Sequence, residues 1–485
     1  MVHENIKKFL TLSAWAEKAA LDICERLPQA LRYKVFYGTT YKRWMTLVKE
    51  ADNWDTDRLH TYQFEQIKNL LTHSMEHVPY YRKLFHNIGF QPKNIQSLDD
   101  LKILPYLGRE EVRDNPTEFV DESIPLKSLI RKPTGGSSGI PLTVYRTKDS
   151  VSAFPAFRES ILGRIGHTPK AREVMLWHYV HLGNKNVPFT RCGNRLVLSM
   201  RYLNVEWLLK SLDMIRKFEP EYMLGYPSWL TILSTIVRHH NLPPLRNLKA
   251  IISYSETLYG WQRKLMEESF GSRVFSMYAM NELAAIGGEC ESSNSIHFHP
   301  LYGLIELRDS IRGYKEIVAT GFTNYAMPFI RYRTGDLVTG YADFCHKCGR
   351  HHKIVETIEG RSHEFLVGKS NELIDIWPLW IASFPDILQC QFLQEEPGKV
   401  FLKIVPSRIF SKLDRSYIQG KLDEIFAPDK NAIAIELVIT DHVERTSSGK
   451  INLIVQKLDI QKLTSKVLCK DTSLEDKRSA AGHQG

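Results

Sequence analysis

Apolar positions along the chain fall into three successive rhythms. Ile6, Phe9, Leu10, Leu12, Ala16, Ala20, Ile23 and Leu27 recur at helical spacing and stop at Pro28, so residues 1–60 are expected to form a helical extension. A second helix is expected from Tyr62 to Phe85, with Phe64, Ile67, Leu70, Leu71 and Met75 on one side. SLDDLKILPYLGREEVRDNP then reads as short helices punctuated by prolines.

Between residues 150 and 285 the pattern alternates. The stretches 172–180 and 248–256 read as strands, and 205–218 and 228–240 as helices. This alternation predicts parallel strands joined by crossover helices, with ligand sites at strand ends. Residues 300–360 become β-rich in LIELRD, EIVATGF and FIRYRTGDLVTGY. Residues 361–458 hold short strands and one helix, LDRSYIQGKLDEIF, enough for a small domain. Beyond Asp459 the chain is polar and cannot bury enough apolar surface to order itself. The expected fold is α/β: a large domain over 61–360 with parallel sheets, crossover helices and a β-rich part, then a small α+β domain over 361–458.

The 485 residues suit two or three domains, and 43% apolar with 25% charged content is ordinary for a globular chain. No apolar run is long enough to span a bilayer, and MVHENIKKFL lacks the apolar region of a secretory signal. Seven cysteines do not read as a disulfide framework, so the expected location is the cytoplasm. The net charge of +9 admits anionic partners, but basic residues are interleaved with 55 acids. No specific nucleic-acid partner is expected. Lys7, Lys8 and Trp15 on the first stripe would also suit weak association with a membrane surface.

RKPTGGSSGIPLTVYR at 131–146 cannot pack a core. Its glycines permit close backbone approach, and its hydroxyls and N–H groups can converge on an anion. Phosphate is the natural guest, although GxxxxGK[ST] is not present. Downstream, in order, come YAMNE at 278–282, YRTGD at 332–336, GRS at 360–362 and RTSSGK at 445–450.

Together these motifs resemble the adenylate-forming acyl ligases, whose phosphate loop reads close to SSGTTGKP. YQFEQIKNLLTHSMEHVPYYRKLF, LGYPSWL and GFTNYAMPFIRYRTGDL are similar to the phenylacetate-CoA ligase-like branch, especially its capsular-polysaccharide-type members. The resemblance implies activation of a carboxylic acid by ATP to an acyl-adenylate, then transfer to coenzyme A. The alternative acceptor is an amine on a sugar or amino acid.

What the resemblance implies for residues follows. Thr134, Ser137 and Ser138, with amides around Gly135, Gly136 and Gly139, cradle the β- and γ-phosphates. Tyr278 stacks on adenine, and Ser255–Glu256 lies along the purine. Glu282 is the Mg²⁺ ligand. Asn281 stands where relatives often have Thr or Ser and faces the α-phosphate. Asp336 accepts from the ribose hydroxyls, and Arg361 belongs to the hinge. Lys450 reaches the carboxylate and α-phosphate as the small domain closes like a lid. His363 and Glu364 depart from the usual hinge pattern. Trp177, Tyr179, Tyr226 and Trp229 would suit a flat, aromatic acid, or equally a core. The sequence leaves the oligomeric state open, with a homodimer as one option.

Cys290-x₆-His297 and Cys345-x₂-Cys348 form a separate group with the spacing of a tetrahedral zinc site. Four protein ligands leave no open position, so this zinc would be structural. His299, His346, His351 and His352 are competing donors. A zinc-bearing nucleic-acid or membrane-binding protein without catalysis is the reading from another class.

Overall fold

The computed structural model describes residues 38–133, 142–178, 180–182, 185–201, 205–310, 313–361, 366–370, 373–374, 387–406, 412–426, 431–446 and 449–458. The stripe over 6–27, the phosphate loop from Thr134 to Gly139, Tyr179, the hinge pair His363–Glu364 and the tail after 458 lie outside them.

A 12-stranded sheet organises the chain, and it has two halves. In one, Arg195–Ser199, Glu173–Trp177, Tyr222–Gly225, Ala250–Tyr254 and Arg273–Ala279 run parallel side by side. In the other, Ile286–Gly288, Ile296–Phe298, Ile354–Arg361, Tyr332–Ala342, Lys315–Gly321 and Gly303–Asp309 continue antiparallel. The expected α/β class is therefore met, with the β-rich part joined edge-on to the parallel part.

Crossover helices cover both faces of the parallel half, because its strands are apolar on both sides. Val205–Phe218, Pro227–His239 and Gly260–Phe270 bury Leu208, Leu212, Trp229, Leu233, Met266 and Phe270 against Leu176, Met223 and Ile251. On the opposite face Lys148–Gly163 and Gly38–Ala51 pack Phe157, Ile161 and Val48 against Leu224, Ile252 and Phe275. Residue parity along Ala250–Tyr254 sends Ile251 to one layer and Ile252 to the other.

Two expected elements differ. The single helix over 62–85 is two, Thr56–His77 and Pro79–Asn87, broken where Val78 takes φ −114° and ψ 114°. Proline pushes the preceding residue out of helical geometry, so Pro79 opens a new helix. The strand expected over 172–180 ends at Trp177, and Val180–Leu182 pairs instead with Lys185–Val187.

After Arg361 a four-stranded sheet orders Ala434–Ile439, Lys399–Pro406, Ile387–Glu396 and Ile454–Gln456, with the helix Lys412–Ile425. Its core is Phe392, Val400, Leu402, Ile418 and Leu422, and Trp261 and Leu265 of the larger unit join that cluster. Leu388, Val405, Val443 and Ile451 in turn enter the larger unit's core. Arg445 Nη1 donates to Met200 O at 3.1 Å across the same seam. Among the described residues no helix is long and apolar enough to cross a membrane.

Candidate active site

A cavity of about 990 Å³ opens at the seam between the two units. Tyr278, Asn281, Glu282, Asp336, Ser255, Glu256 and Lys450 all line it. They arrive from separate elements: Ser255, Glu256, Tyr278, Asn281 and Glu282 lie at or just past the ends of parallel strands, as parallel sheets favour, whereas Asp336 lies within the antiparallel strand Tyr332–Ala342. Ser255–Glu256 follows Ala250–Tyr254, and Asn281–Glu282 follows Arg273–Ala279. The phosphate-loop residues lie outside the described set. Their described flanks are an antiparallel pair, with Ile130 opposite Arg146 and Pro133 opposite Thr143.

Tyr278 and Asp336 touch directly. The Tyr278 hydroxyl donates to Asp336 Oδ2 at 2.6 Å, and the ring stands edge-on to Phe298 at 5.5 Å. Gly335 takes φ 77°, a left-handed turn that a side chain would strain, and Thr334 Oγ1 accepts from Asp336 N at 3.1 Å. Arg361 lies opposite Asp336 in the backbone register.

Glu282 has a nearly buried carboxylate with long contacts of 3.4 Å to Arg109 Nη1 and 3.4 Å to the Tyr332 hydroxyl. Contacts of that length hold a carboxylate loosely, so a hard cation is compatible with its position. Leu283, next in line, sits at φ 57°. Asn281 accepts from Arg146 Nη2 through Oδ1 at 3.1 Å and through its main-chain oxygen. Arg109 belongs to no motif in the sequence, and Arg146 only closes the 131–146 stretch, with no role assigned to it there. Each is a lone arginine beside an ordinary short element, and only the fold carries it to this cavity.

The Glu256 carboxylate links a helix start of the large unit to the small unit. It accepts from Ser228 N at 3.0 Å, Ser228 Oγ at 3.1 Å and Ile451 N at 3.1 Å. Burial raises its carboxyl above the ordinary range, while those donors and Lys450 pull it back. Ser255 takes φ 68°, and its carbonyl oxygen accepts from Lys450 Nζ at 2.6 Å. Lys450 also lies 5.6 Å from the Tyr226 ring. Gly449 before it takes φ 82°, and a Cβ there would come within 2.2 Å of His178.

The two readings of the aromatic residues divide between Trp177 and Trp229. Trp177 is 44% exposed and lines the cavity. Trp229 is fully buried and stacks on Tyr226 at 4.2 Å, so it serves the core. The difference follows from helix phase: Trp229, two residues after the first proline of Pro227–His239, points to the sheet.

Cys290, His297, Cys345 and Cys348 come together, with all four donor atoms within 4.8 Å of one another. Cys348 Sγ is 3.4 Å from His297 Nε2. His297 Nδ1 lies 2.8 Å from Ser295 O. Donation to that carbonyl puts the proton on Nδ1 and leaves the Nε2 lone pair to face the sulfurs. His299 and His352 are buried nearby but do not join the group. The cluster ties the 343–352 loop to Ile296–Phe298, and so backs the Phe298–Tyr278 contact.

No protein-family model matches the chain. It is similar to a phenylacetate-coenzyme A ligase of Thermus thermophilus, 26% identical over 348 residues, covering 69% of this chain and 76% of that protein. It is also similar to protein CapK of Staphylococcus aureus, 23% identical over 405 residues, 79% of this chain and 86% of that one. Among solved structures, 2-hydroxyisobutyryl-CoA ligase in the postadenylation state, with a bound acyl-AMP, superposes at TM-score 0.66 and 16% identity, covering 86% of this chain and 94% of that one. The fold is that of the adenylate-forming enzymes. In sequence the chain is similar to the phenylacetate-CoA ligases and to CapK, at 23–27% identity.

Proposed function

We propose that the chain is an ATP-dependent, AMP-forming ligase that activates a carboxylic acid as its acyl-adenylate and transfers the acyl group to coenzyme A. The observation that carries this is the convergence of Lys450 from the small unit with Tyr278, Asn281, Glu282 and Asp336 from the large one, around one cavity. Similarity to phenylacetate-CoA ligases supports the acid–thiol chemistry.

In the first half-reaction a carboxylate oxygen attacks the α-phosphorus, the new O–P bond forms, and the bond to the β-phosphate breaks to release pyrophosphate. Positioning and charge stabilisation supply most of such catalysis. Asp336, turned toward the cavity by Gly335, accepts from the ribose hydroxyls, and Tyr278 fixes that carboxylate while its face meets adenine. Asn281, held by Arg146, presents its amide N–H to the α-phosphate. The glycine- and serine-rich segment 134–139 cradles the outer phosphates. Glu282 would hold a magnesium ion, which would supply charge neutralisation on the phosphates. Lys450 lies beside Ser255 O and has a short reach to the reacting carboxylate. In the second half-reaction the coenzyme A sulfur attacks the acyl carbon, the thiol proton goes to solvent, and AMP leaves.

We further assign a structural zinc ion to Cys290, His297, Cys345 and Cys348. Tetrahedral bonds of about 2.3 Å place sulfurs roughly 3.8 Å apart, close to the spacing of this cluster. Its role is to brace the wall behind Tyr278. The chain works in the cytoplasm, where ATP and coenzyme A are supplied.

The test is acid-dependent ATP–pyrophosphate exchange across aryl, short-chain and fatty acids, followed by product analysis with coenzyme A and with amines. Exchange with a defined acid and thioester formation is the expected result. Amide formation in place of the thioester would replace the acceptor. Salt-sensitive DNA binding without any ATP turnover would overturn the enzyme reading.

A further inference from the structure

The arginines that line the cavity differ in what neutralises them. Arg109 pairs with Glu282 at 3.4 Å and Arg158 with Glu159 at 3.1 Å, while Arg195 pairs with Glu173 and Arg263 with Glu289. Arg146 and Arg238 have no carboxylate within ion-pair distance among the described residues. Arg238 lies in the last turn of the helix Pro227–His239, about 15 Å along its axis from Ser228 and the Glu256 contact. Arg146 stands beside the reaction end itself.

Its position is fixed from one side only. Arg146 closes the strand Thr143–Arg146, and its Nη2 donates to the main-chain oxygen of Asn281 and to Asn281 Oδ1, the latter at 3.1 Å. Nε is covered and meets no acceptor. Nη1 is neither covered nor bonded among the described residues, so its N–H groups remain open on a residue that lines the cavity. A guanidinium stays charged throughout the working pH range. That charge is near enough to Glu282 for the two to interact.

The proposed chemistry needs a cation there. The segment 134–141 brings amides and hydroxyls but neither lysine nor arginine. Such groups can order phosphate oxygens, yet they carry no formal charge. Arg131 and Lys132, just before it, are exposed and do not line the cavity. Lys450 is placed beside Ser255 O, on the side of the attacking carboxylate. When pyrophosphate departs, charge gathers on the oxygen that joined the α- and β-phosphates, and a fixed donor aimed at it lowers the barrier.

We propose that Arg146 is a catalytic residue of the adenylation step, with Nη1 donating to the leaving oxygen of the β-phosphate. The bond from the carboxylate oxygen to the α-phosphorus forms as the bond from that phosphorus to the leaving oxygen breaks. The leaving oxygen keeps the electron pair, and Arg146 stays protonated, so no proton moves. The inference rests on the acid-activation reading and assigns the leaving-group cation within it.

The test uses the full chain and two probes that differ in the part Arg146 would meet: inorganic pyrophosphate with magnesium, and AMP, which keeps only the α-phosphate. By calorimetry, Arg146→Gln should weaken pyrophosphate binding about 10- to 100-fold, as expected for hydrogen bonds to a charged group. AMP binding should stay nearly unchanged, and Arg146→Lys, which keeps the charge but not the fork, should lie between. With the acid that best supports exchange, acyl-adenylate formation in Arg146→Gln should fall about 10²–10³-fold, while thioester formation from ready-made acyl-adenylate keeps its rate. A folded Arg146→Gln that binds pyrophosphate as the wild type does would overturn the proposal. So would equal loss of AMP and pyrophosphate, which would leave Arg146 only a support for Asn281. Should Arg146→Gln not fold, Arg146→Lys decides: lower pyrophosphate affinity with AMP affinity kept upholds the contact, and any other pattern removes it. If no acid supports exchange, the activation reading fails by itself. Pyrophosphate binding that Arg146→Gln still weakens selectively then upholds the phosphate contact, and wild-type protein that binds no pyrophosphate removes it.

Discussion

Lys450 Nζ donates to the carbonyl oxygen of Ser255 across 195 residues of chain, at 2.6 Å. One partner is the last residue of a glycine-bearing loop in the small unit, and the other sits at φ 68° just past a parallel strand. The neighbouring pair repeats the link, with Ile451 N donating to Glu256 at 3.1 Å. The small unit is therefore seated on residues that line the cavity, and Lys450 lines it too.

The first prediction concerns that ammonium. Losing one preorganised charge contact costs ~3–4 kcal/mol, or about 10²–10³ in rate. Lys450→Ala should nearly abolish acyl-adenylate formation from ATP and acid while nucleotide binding survives. Given ready-made acyl-adenylate and coenzyme A, the variant should still make thioester. Equal loss in both half-reactions, in folded and ATP-binding protein, would show that the small unit does not change pose between them.

Glu282→Gln removes a charge while nearly preserving shape. Acid-dependent pyrophosphate release should drop by about 10²-fold or more and recover in part at higher magnesium. Glu291, which pairs with Arg350 at 2.9 Å near the surface, is the proper control and should change the rate little. Glu289 is no such control, although its sequence context is equally free of nucleotide motifs. It is fully buried and pairs with Arg263 and Arg273, so Glu289→Gln should cost about 3–5 kcal/mol of stability. A melting curve set beside the exchange assay separates the two effects.

Protein purified without added metal should carry about one zinc per chain by elemental analysis, as a four-ligand sulfur–nitrogen site implies. Cys345→Ser should lose that zinc and melt at lower temperature, with pyrophosphate exchange falling only as folded protein is lost. Protein without zinc, or a zinc-free variant that melts unchanged, would remove the structural assignment.

The Glu159–His167–Glu173 cluster makes stability depend on pH in a stated direction. The groups facing His167 are those two carboxylates, the Arg158 guanidinium and the Tyr222 ring at 4.8 Å. Its pKa is raised above the ordinary 6.5, so folded protein binds the proton more tightly than unfolded chain. The stabilisation is present in full below that ordinary value and fades as pH rises through the folded value. The melting-temperature gap between wild type and His167→Asn should be widest near pH 5.5 and shrink toward pH 9. A gap that widens with pH would reverse the charge assigned to His167.

The parallel layer was legible because its strands are apolar on both faces and its helices carry clear stripes, and both patterns follow from local chain geometry. Cys345-x₂-Cys348 and the motif at 332–336 were legible for the same reason: each is a short segment whose spacing already implies a job. The break at Pro79 was equally local, yet the apolar stripe of 62–85 runs through it, so periodicity alone hid it.

Tertiary structure alone settled which aromatic residues serve the core. Trp177 and Trp229 look alike in sequence, but one stands at the open end of a strand and the other on the sheet-facing side of a helix. It likewise decided that Glu289 is buried among arginines, that Arg109 and Arg146 attend Glu282 and Asn281, and that Glu256 joins the two units. The chain by itself determines periodicity and short motifs, which are properties of neighbouring residues. Charge pairing and cavity lining depend on residues tens to hundreds of positions apart, and these are adjacent only once the sheet has set its strand order.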